Sequence, residues 1–385
     1  MRDPIDSRAP STDLLYRRAK KRVPGFAFDY LTGGCFSELN LARNTDEIRD
    51  YRLRPTYIGN YAGASQKTNL FGVEYDAPFG IAPVGLQGLI WPKSGAILAK
   101  AAYQNHIPFV LSTVGTADIE SIAEITQGQA WFQLYHPAED ALRDKLLERA
   151  WAAGIKTLVI LADTPTFGYR PKEIRNGLSI PPRMTLQNIL QMTLHPTWSF
   201  SQLLNGVPSF ATMKPYIPKG LNMKHLGLFM NKTFSGRLTE DKVKALRDKW
   251  KGTLVVKGIV NPTDAQKIIS LGADGLIVSN HGGRQLERGQ STIRALGDLV
   301  AAFKGQIKIM IDSGLRDGSD IAIALALGAD FAFLGRTPML AVCALGSRGG
   351  EHVAAMLKKQ LQQVMEQIGC EQIDDFPKFL IRENI

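Results

Sequence analysis

The stretch LGADGLIVSN, residues 271–280, opens with the tetrapeptide Leu-Gly-Ala-Asp, which returns at 327–330 before FAFLGR at 331–336. In both places a glycine typical of a helix stop precedes a short apolar run typical of a buried strand. The two copies therefore indicate equivalent helix-to-strand turns in a chain built from repeated βα units.

Short runs rich in β-branched or aromatic residues recur along the chain, at 79–84, 108–113, 130–135, 156–162, 253–258, 275–280, 308–313 and 331–336. Most gaps between them carry an amphipathic stretch with helical periodicity, such as 138–152 and 264–271. Eight strands alternating with helices predict an α/β fold, a single (β/α)8 TIM barrel over residues 1–385.

The spacing of these runs is regular with one exception. Their starts lie 29, 22, 26, 97, 22, 33 and 23 residues apart, so the step from the fourth strand to the fifth contains an insertion, placed at about residues 181–234. Residues 1–52 precede the first strand and are expected to form a helical cap, with breaks at Pro24-Gly25 and Gly33-Gly34.

Composition limits the class of protein. Hydrophobic residues make up 44% of the chain, and no uninterrupted apolar stretch reaches the roughly 18 residues of a membrane-spanning helix. The N-terminal segment has no apolar core and no small-residue cleavage site, which predicts a cytoplasmic protein. Cys35, Cys343 and Cys370 are far apart in the sequence, which argues against a disulfide framework and against a metal site.

Polar residues follow or end the predicted strands, where barrel enzymes place their chemistry. They are Gln133, Tyr135, Asp163, Lys257, His281 and Asp312. His281 titrates near neutral pH and can take a proton, and Arg284 offers a planar guanidinium suited to a carboxylate. This pair suggests a 2-hydroxy acid as substrate. The alternative is a strand-to-helix turn in which the histidine caps a neighbouring group.

Two neighbouring loops combine glycine with arginine, at 312–318 (DSGLRDG) and at Gly335-Arg336. Barrels bind phosphate at the loops after strands seven and eight, where glycine frees backbone N–H groups near a helix N-terminus. No GxGxxG motif follows a strand, so a nicotinamide site of the Rossmann type is excluded. The phosphate belongs to a substrate or to a cofactor such as FMN, unless these glycines serve only packing.

The heptapeptide SNHGGRQ at 279–285 resembles the signature of the FMN-dependent 2-hydroxy acid oxidising family, which includes glycolate oxidase, flavin L-lactate dehydrogenases and mandelate dehydrogenase. The resemblance covers nearly the whole chain. Within the insertion, the segment HPTWS at 195–199 is similar to bacterial membrane-associated mandelate and lactate dehydrogenases in particular. The resemblance implies FMN as cofactor, an L-2-hydroxy acid as substrate and a homotetramer.

The same resemblance implies the residues that hold the flavin. The backbone of Ala82, Pro83 and Val84 would line it, Ser112 and Gln133 would bond its ring, and Lys257 would lie near flavin N1. The remaining cofactor positions are Ser279, Asp312, Ser313, Gly314, Arg316, Gly335 and Arg336. Val84 and Leu161 depart from the family, which commonly has threonine there, so each loses a possible hydrogen bond to the flavin.

The resemblance also implies the catalytic roles. Arg170 and Arg284 would clamp the substrate carboxylate, with Tyr30 and Tyr135 beside the substrate. His281 would remove a proton, and Asp163 would stabilise the imidazolium that forms. Gly85 stands where oxidases of the family usually carry alanine, which favours a dehydrogenase. Val114 and Phe167 indicate an apolar pocket and leave lactate and mandelate both open.

The insertion has a distinct charge pattern. Residues 174–239 contain no Asp or Glu but seven Lys or Arg, interleaved with Trp198, Phe200, Phe210, Tyr216, Phe229 and Phe234. This composition is expected at an anionic membrane surface, here the inner face of the cell membrane, and it favours a membrane quinone as electron acceptor. Alternatives are a lid over the substrate, an oxidase that uses oxygen, or a barrel without redox chemistry. Nucleic acid is disfavoured because no nucleic-acid module is present.

Overall fold

The strands of this protein form one closed parallel barrel and one small hairpin. The structure is a computed structural model that describes residues 4–178, 183–206, 208–221, 223–234 and 236–381. In this part of the chain the strands are β1 (Thr68–Leu70), β2 (Val73–Tyr75), β3 (Phe79–Ile81), β4 (Val110–Ser112), β5 (Trp131–Leu134), β6 (Thr157–Leu161), β7 (Thr253–Ile259), β8 (Gly275–Val278), β9 (Lys308–Ile311) and β10 (Phe331–Leu334).

The barrel is an eight-stranded parallel sheet in the order β3-β10-β9-β8-β7-β6-β5-β4. Registers such as Leu158 opposite Leu254 and Leu276 opposite Ile309 run around the sheet. A parallel bridge between Ile81 and Phe109 joins β3 to the residue before β4 and closes the ring. Because both faces are covered, the strands are apolar along nearly their whole length. The predicted (β/α)8 fold is confirmed.

The strand bounds follow the predicted runs closely. Seven barrel strands lie inside their predicted ranges, and β7 extends one residue further, to Ile259. The other seven strands are shorter than predicted, and polar residues at the ends of several runs, such as Asp312 after β9, lie just past the strand at the start of the loops of the site. The helix predicted at 264–271 begins earlier, at Pro262, because Asn261 caps it by accepting from the backbone N–H of Asp264.

The helices connect the strands and surround the barrel. They are α1 (Thr12–Arg22), α2 (Gly25–Thr32), α3 (Leu39–Asp46), α4 (Gln87–Ile90), α5 (Ser94–Gln104), α6 (Ile119–Thr126), α7 (Asp140–Ala152), α8 (Pro171–Arg175), α9 (Leu186–Leu194), α10 (Pro196–Asn205), α11 (Met223–Phe234), α12 (Glu240–Lys249), α13 (Pro262–Ser270), α14 (Thr292–Phe303), α15 (Gly318–Ala326), α16 (Arg336–Leu345) and α17 (Gly349–Ile368). Short 3-10 turns occur at Glu47–Asp50, Lys214–Tyr216, Gly346–Arg348 and Ile373–Phe379. Helices α1 to α3 form the N-terminal cap.

The antiparallel hairpin β1–β2 closes the N-terminal end of the barrel and was not predicted. Leu70 and Tyr75 pack into the barrel interior with Trp131, Phe331 and other inward-facing side chains. Phe71 also reaches the first residue of β8, Gly275, where a Cβ would lie 2.6 Å from its ring. Each strand of the hairpin has only three residues, too few to show an alternating pattern.

The insertion between β6 and β7 packs back onto the barrel. Trp198 donates from Nε1 to the carbonyl of Ile90 at 2.9 Å, and Gln202 donates to the carbonyl of Gly88 at 2.7 Å. Gln191 accepts from the backbone N–H of Phe26 in α2. The insertion is thus attached to the loop after β3 and to the cap. The predicted boundary at Pro181 lies outside the described residues.

The aromatic residues of the insertion do not all face solvent, which its composition could not show. Trp198 and Phe234 are buried, Phe210, Tyr216 and Phe229 are partly buried, and of this set Phe200 is exposed. They are covered because they pack on the barrel. The outer apolar surface is made by aliphatic side chains of and around α9 and α10, namely Met184, Leu186, Ile189, Leu190, Leu194, Leu203 and Leu204.

Candidate active site

The predicted site residues meet at the C-terminal end of the barrel. Asp163 follows β6, Lys257 lies in β7, His281 follows β8 and Asp312 follows β9. Lys257, His281 and Asp312 line one large cavity of about 1170 Å³ that runs from the strand ends into the insertion, and Asp163 is bonded to His281. Because parallel strands bring their carboxyl ends together, residues that are far apart in sequence become neighbours here.

His281 and Asp163 form a bonded pair. Nδ1 of His281 lies 2.9 Å from Oδ1 of Asp163, which leaves Nε2 as the nitrogen free to act on a ligand. His281 adopts a left-handed backbone with φ of 58°, a conformation that is uncommon outside glycine and is found at functional sites. Burial lowers the pKa of His281, with Lys257 and Arg170 acting in the same direction and Asp163 against it. The imidazole is therefore neutral at neutral pH and can accept a proton.

Lys257 lies behind this pair and is buried among oxygen atoms. Its Nζ donates to Oγ of Ser279 at 2.7 Å and lies 3.2 Å from Asp312 and 3.7 Å from Asp163. Burial alone would lower the pKa of Lys257, but the two carboxylates hold it above its ordinary value. Burial alone would raise the pKa of Asp163, but Lys257 and His281 hold it below its ordinary value. With His281 neutral, one cation faces two carboxylates, so a proton gained by His281 neutralises the group.

Arg170 and Arg284 lie side by side on the cavity wall. Nη1 of Arg284 donates to the carbonyls of Tyr30 at 2.7 Å and Gly33 at 3.1 Å. Nη2 of Arg170 donates to Oε1 of Gln285 at 2.9 Å. Both guanidinium groups also contact the carboxylate of Glu173, a residue that the sequence interpretation missed. The only sequence signal for Glu173 is its position three residues after Arg170 in a helix that begins at Pro171.

Tyr30 and Tyr135 flank the same space. The Tyr135 hydroxyl lies 3.5 Å from Nε2 of His281, and the Tyr30 hydroxyl donates to the carbonyl of Gly85 at 3.3 Å. Burial raises the pKa of both phenols, so both stay protonated and able to donate. A Cβ on Gly85 would lie 3.0 Å from Val114, so alanine at this position would crowd the pocket.

Two partly buried arginines line the other part of the cavity. Arg336 donates to the carbonyls of Leu31, Gly282 and Gly33, and Arg316 donates from Nη1 to the carbonyl of Leu315. Among the described residues, the hydrogen-bond acceptors of these two side chains are neutral carbonyls, and burial lowers the pKa of both. Two cations held without a bonded carboxylate are suited to an anionic ligand.

The loop beside these arginines, at Ser313 and Gly314, packs its backbone closely against α3. Ser313 has a φ of 69° and Gly314 a φ of 96°, and a Cβ on Gly314 would lie 2.1 Å from the carbonyl oxygen of Asn44. Predicted cofactor residues on the cavity wall are Ala82, Pro83, Val84, Gln133, Lys257, Asp312, Ser313, Gly314, Arg316, Gly335 and Arg336. Ser112 and Ser279 are buried beside the wall and do not line it, and Ser279 instead bonds Lys257.

Comparison with known proteins decides what this site serves. A family model described as FMN-dependent dehydrogenase matches residues 19–383. The chain belongs to this family. It is therefore an FMN-dependent oxidoreductase, and FMN is its cofactor. The cavity wall supports this assignment. Arg316 and Arg336 suit the phosphate of FMN, and the buried Lys257 suits the ring of a flavin that gains negative charge.

Individual relatives within the family resemble this chain over almost its full length. It is 38% identical over 367 residues to the L-lactate dehydrogenase of Pectobacterium atrosepticum, covering 95% of this chain and 94% of that protein. Its structure is similar to that of (S)-mandelate dehydrogenase, a monotopic membrane protein, with a TM-score of 0.91, 34% identity and coverage of 97% and 99%. It is similar to mandelate oxidase with a TM-score of 0.81, 28% identity and the same coverage.

Within the part of the chain that the structure describes, no helix has the length and hydropathy needed to cross a membrane.

Proposed function

We propose that this dehydrogenase oxidises an L-2-hydroxy acid, lactate-like or mandelate-like, to the 2-oxo acid. The observation that carries the proposal is the pair of guanidinium groups of Arg170 and Arg284 on the same wall as the His281–Asp163 pair. The guanidinium groups suit the carboxylate of such an acid, and the imidazole suits the proton lost from the neighbouring carbon or its hydroxyl. FMN supplies the acceptor for the two electrons.

The side chains divide this work. Arg170 and Arg284 hold the carboxylate and fix which face of the substrate is presented. Nε2 of His281 takes the proton, and the charge it gains is balanced by Asp163, which already accepts from Nδ1. The hydroxyl of Tyr135, 3.5 Å from Nε2, marks where the substrate hydroxyl is received. Val114 and Phe167 line the cavity and provide an apolar wall for the substrate side chain.

The residues proposed to hold FMN divide by chemistry. Arg316 and Arg336, with the backbone at Ser313 and Gly314, suit the phosphate. Ala82, Pro83, Val84 and Gln133 line the region proposed for the ring. Lys257 provides the fixed cation. It is held in position by the carboxylate of Asp312 and by the hydroxyl of Ser279. Ser112 is buried beside this wall, and its hydrogen bond to the flavin ring stays a prediction.

We propose a membrane quinone as the final electron acceptor, with oxygen as the alternative. The cavity supports the quinone, because the space lined by Lys257 and His281 continues to Met184, Ile189, Leu203 and other apolar side chains of the insertion. Met184, Ile189 and Leu203 are also exposed to solvent. The lining of this space is mostly apolar, which suits the passage of an apolar molecule toward the cofactor.

Peripheral attachment to the inner face of the cell membrane follows the same reasoning. The seven aliphatic side chains named above, of and around α9 and α10, are 46–86% exposed, and residues 174–239 carry seven basic and no acidic side chains. Aliphatic residues beside basic ones are typical of segments that lie in the headgroup region. Each basic residue near anionic lipid contributes about 1 kcal/mol, so half of the seven would contribute about 3–4 kcal/mol before any apolar insertion.

Anaerobic reduction of the flavin tests the activity. L-Lactate and L-mandelate are mixed with the purified enzyme without oxygen, and we expect at least one of them to bleach the visible flavin bands at a saturable rate. The reduced enzyme is then mixed with oxygen or with a soluble quinone analogue, and we expect the quinone analogue to react faster. No bleaching by any L-2-hydroxy acid would contradict the proposed reaction, and faster reaction with oxygen would favour the oxidase.

Sedimentation with vesicles tests the membrane surface. The wild-type protein is expected to bind vesicles of anionic phospholipid at low salt and to bind less as ionic strength rises, because screening weakens the basic contribution. Replacing Leu186 and Leu203 by aspartate should weaken binding at every salt concentration, because it removes two apolar side chains and adds two negative charges to a basic segment. Val73→Asp is the matched control, because Val73 is also exposed but lies in β2 at the opposite end of the barrel. Wild-type protein that stays in the supernatant at low salt would contradict the proposal.

A further inference from the structure

The carboxylate of Glu173 lies between the two arginines proposed to bind the substrate. Nη2 of Arg284 is paired with its Oε1, and Nη1 of Arg170 lies 3.4 Å from both of its oxygens. The three side chains are only 11–12% exposed. Glu173 is held there by α8, which begins at Pro171 immediately after Arg170.

The arginines cannot easily turn away from this carboxylate. Arg284 is fixed by the carbonyls of Tyr30 and Gly33 and lies over the Tyr30 ring, 5.0 Å from its centre. Arg170 is fixed by Gln285 and by the carbonyl of Arg284, to which its Nε donates at 3.2 Å. These partners are backbone carbonyls and the side-chain amide of Gln285, and all of them are neutral. Glu173 is therefore the one bonded group, among the described residues, that changes the charge of this pair.

We propose that Glu173 is a specificity-determining residue that restricts the site to acids with one carboxylate. Two guanidinium groups and one carboxylate leave a net charge of one positive, which a substrate with a single carboxylate neutralises. A substrate with a second carboxylate would leave an uncompensated negative charge in a site with little solvent, where charge imbalance is costly. This inference rests on the proposed function, because it takes Arg170 and Arg284 as the carboxylate site.

The neighbouring charges act in the same direction. Lys257 with Asp163 and Asp312 forms a group with one net negative charge when His281 is neutral, so it repels a second carboxylate as well. Three further cations among the described residues lie on the cavity wall. Arg316 and Arg336 are assigned to the phosphate of FMN in the proposed function, and Arg183 is exposed, so solvent screens its attraction. Space is not the limit, because the cavity holds about 1170 Å³.

The test compares two substrates of the same shape and different charge, L-malate and its 4-monoamide. In the wild type, the monoamide should reduce the flavin with a kcat/KM at least about tenfold higher than that of L-malate. In Glu173→Gln, which keeps the side-chain size and one acceptor oxygen, the ratio should fall about tenfold or more. Glu173→Asp, which keeps the charge, should restore most of the wild-type ratio. The flavin spectrum and the thermal melt of each variant check that the site is intact.

Glu38→Gln is the matched control. Glu38 pairs with Lys172, the neighbour of Glu173 in α8, but its carboxylate is not bonded to Arg170 or Arg284. Its ratio should equal that of the wild type. An unchanged ratio in Glu173→Gln, with both substrates slowed equally, would overturn the inference and leave Glu173 as a structural support. If the variant fails to fold, the wild-type enzyme alone provides the test, because equal kcat/KM values for L-malate and its monoamide would overturn the inference. Failure of the wild type to use any monocarboxylic 2-hydroxy acid would instead contradict the proposed function.

Discussion

Replacing His281 by alanine is expected to slow substrate-driven flavin reduction by roughly two to four orders of magnitude, the usual contribution of a positioned base. The variant should still bind FMN, because the proposed phosphate site at Arg316 and Arg336 is not changed. Anaerobic stopped-flow mixing measures the reduction, and the flavin spectrum measures the bound cofactor. His106→Ala is the matched control, because His106 also pairs with an aspartate, Asp76 at 3.3 Å, but is exposed and does not line the cavity.

The pH dependence gives a second readout for His281. A base must be unprotonated, so activity is present above the pKa of His281 in the folded protein and is lost as pH falls through it. Burial lowers this pKa, so the acid limb of the profile of kcat/KM should lie below the ordinary value for histidine. Asp163→Asn removes a carboxylate that raises this pKa, so it should move the limb to still lower pH. Near-normal reduction in His281→Ala would remove this residue from the mechanism.

Replacing Lys257 by methionine is expected to lower the free energy of unfolding by about 3–5 kcal/mol, the usual effect of removing one partner from a buried ion pair. The change leaves Asp163 and Asp312 as buried carboxylates whose cation, at 3.7 and 3.2 Å, is gone. Urea unfolding followed by circular dichroism measures the loss. Lys304→Met is the matched control, because Lys304 pairs with Asp330 at the surface, where such pairs contribute about 0–1 kcal/mol.

The sign of the pH effect separates this explanation from a simple loss of packing. Lys257 holds the pKa of Asp163 below its ordinary value, so the pair stabilises the fold above the ordinary aspartate pKa and less as pH falls through the folded value. The deficit of Lys257→Met should therefore be largest at neutral pH and shrink in acid, where Asp163 becomes protonated. A deficit of the same size at pH 7 and in acid would show that lost packing, not charge, is the cause.

The barrel was predictable because its strands are buried on both faces and appear as separate apolar runs. The meeting of Asp163, Lys257 and His281 was also predictable, since each stands at the carboxyl end of such a run. The hairpin at 68–75 was not predictable, because two strands of three residues carry no pattern. Glu173 was missed for a different reason. Its importance comes from a contact with Arg284, more than a hundred residues away, and local sequence does not contain that information.

The insertion shows how composition can mislead about individual residues. Its charge pattern is visible in the sequence, but the exposed apolar residues could not be chosen from composition. Trp198 and Phe234 are covered by the barrel, whereas Leu186 and Leu203 are exposed. Which side of a short helix is covered depends on where the insertion is attached, and that is determined by bonds to Gly88, Ile90 and other residues of distant segments.

The location of α9 and α10 at the same end of the barrel as the active-site mouth restricts how copies of this chain can assemble on a flat bilayer. Under the proposed membrane attachment, every copy presents this end to the lipid, so the copies share one orientation relative to the bilayer plane. Only rotation about an axis perpendicular to that plane preserves such an orientation. A tetramer that uses all of its surfaces at once must therefore have cyclic symmetry, whereas dihedral symmetry would turn half of the mouths away from the lipid.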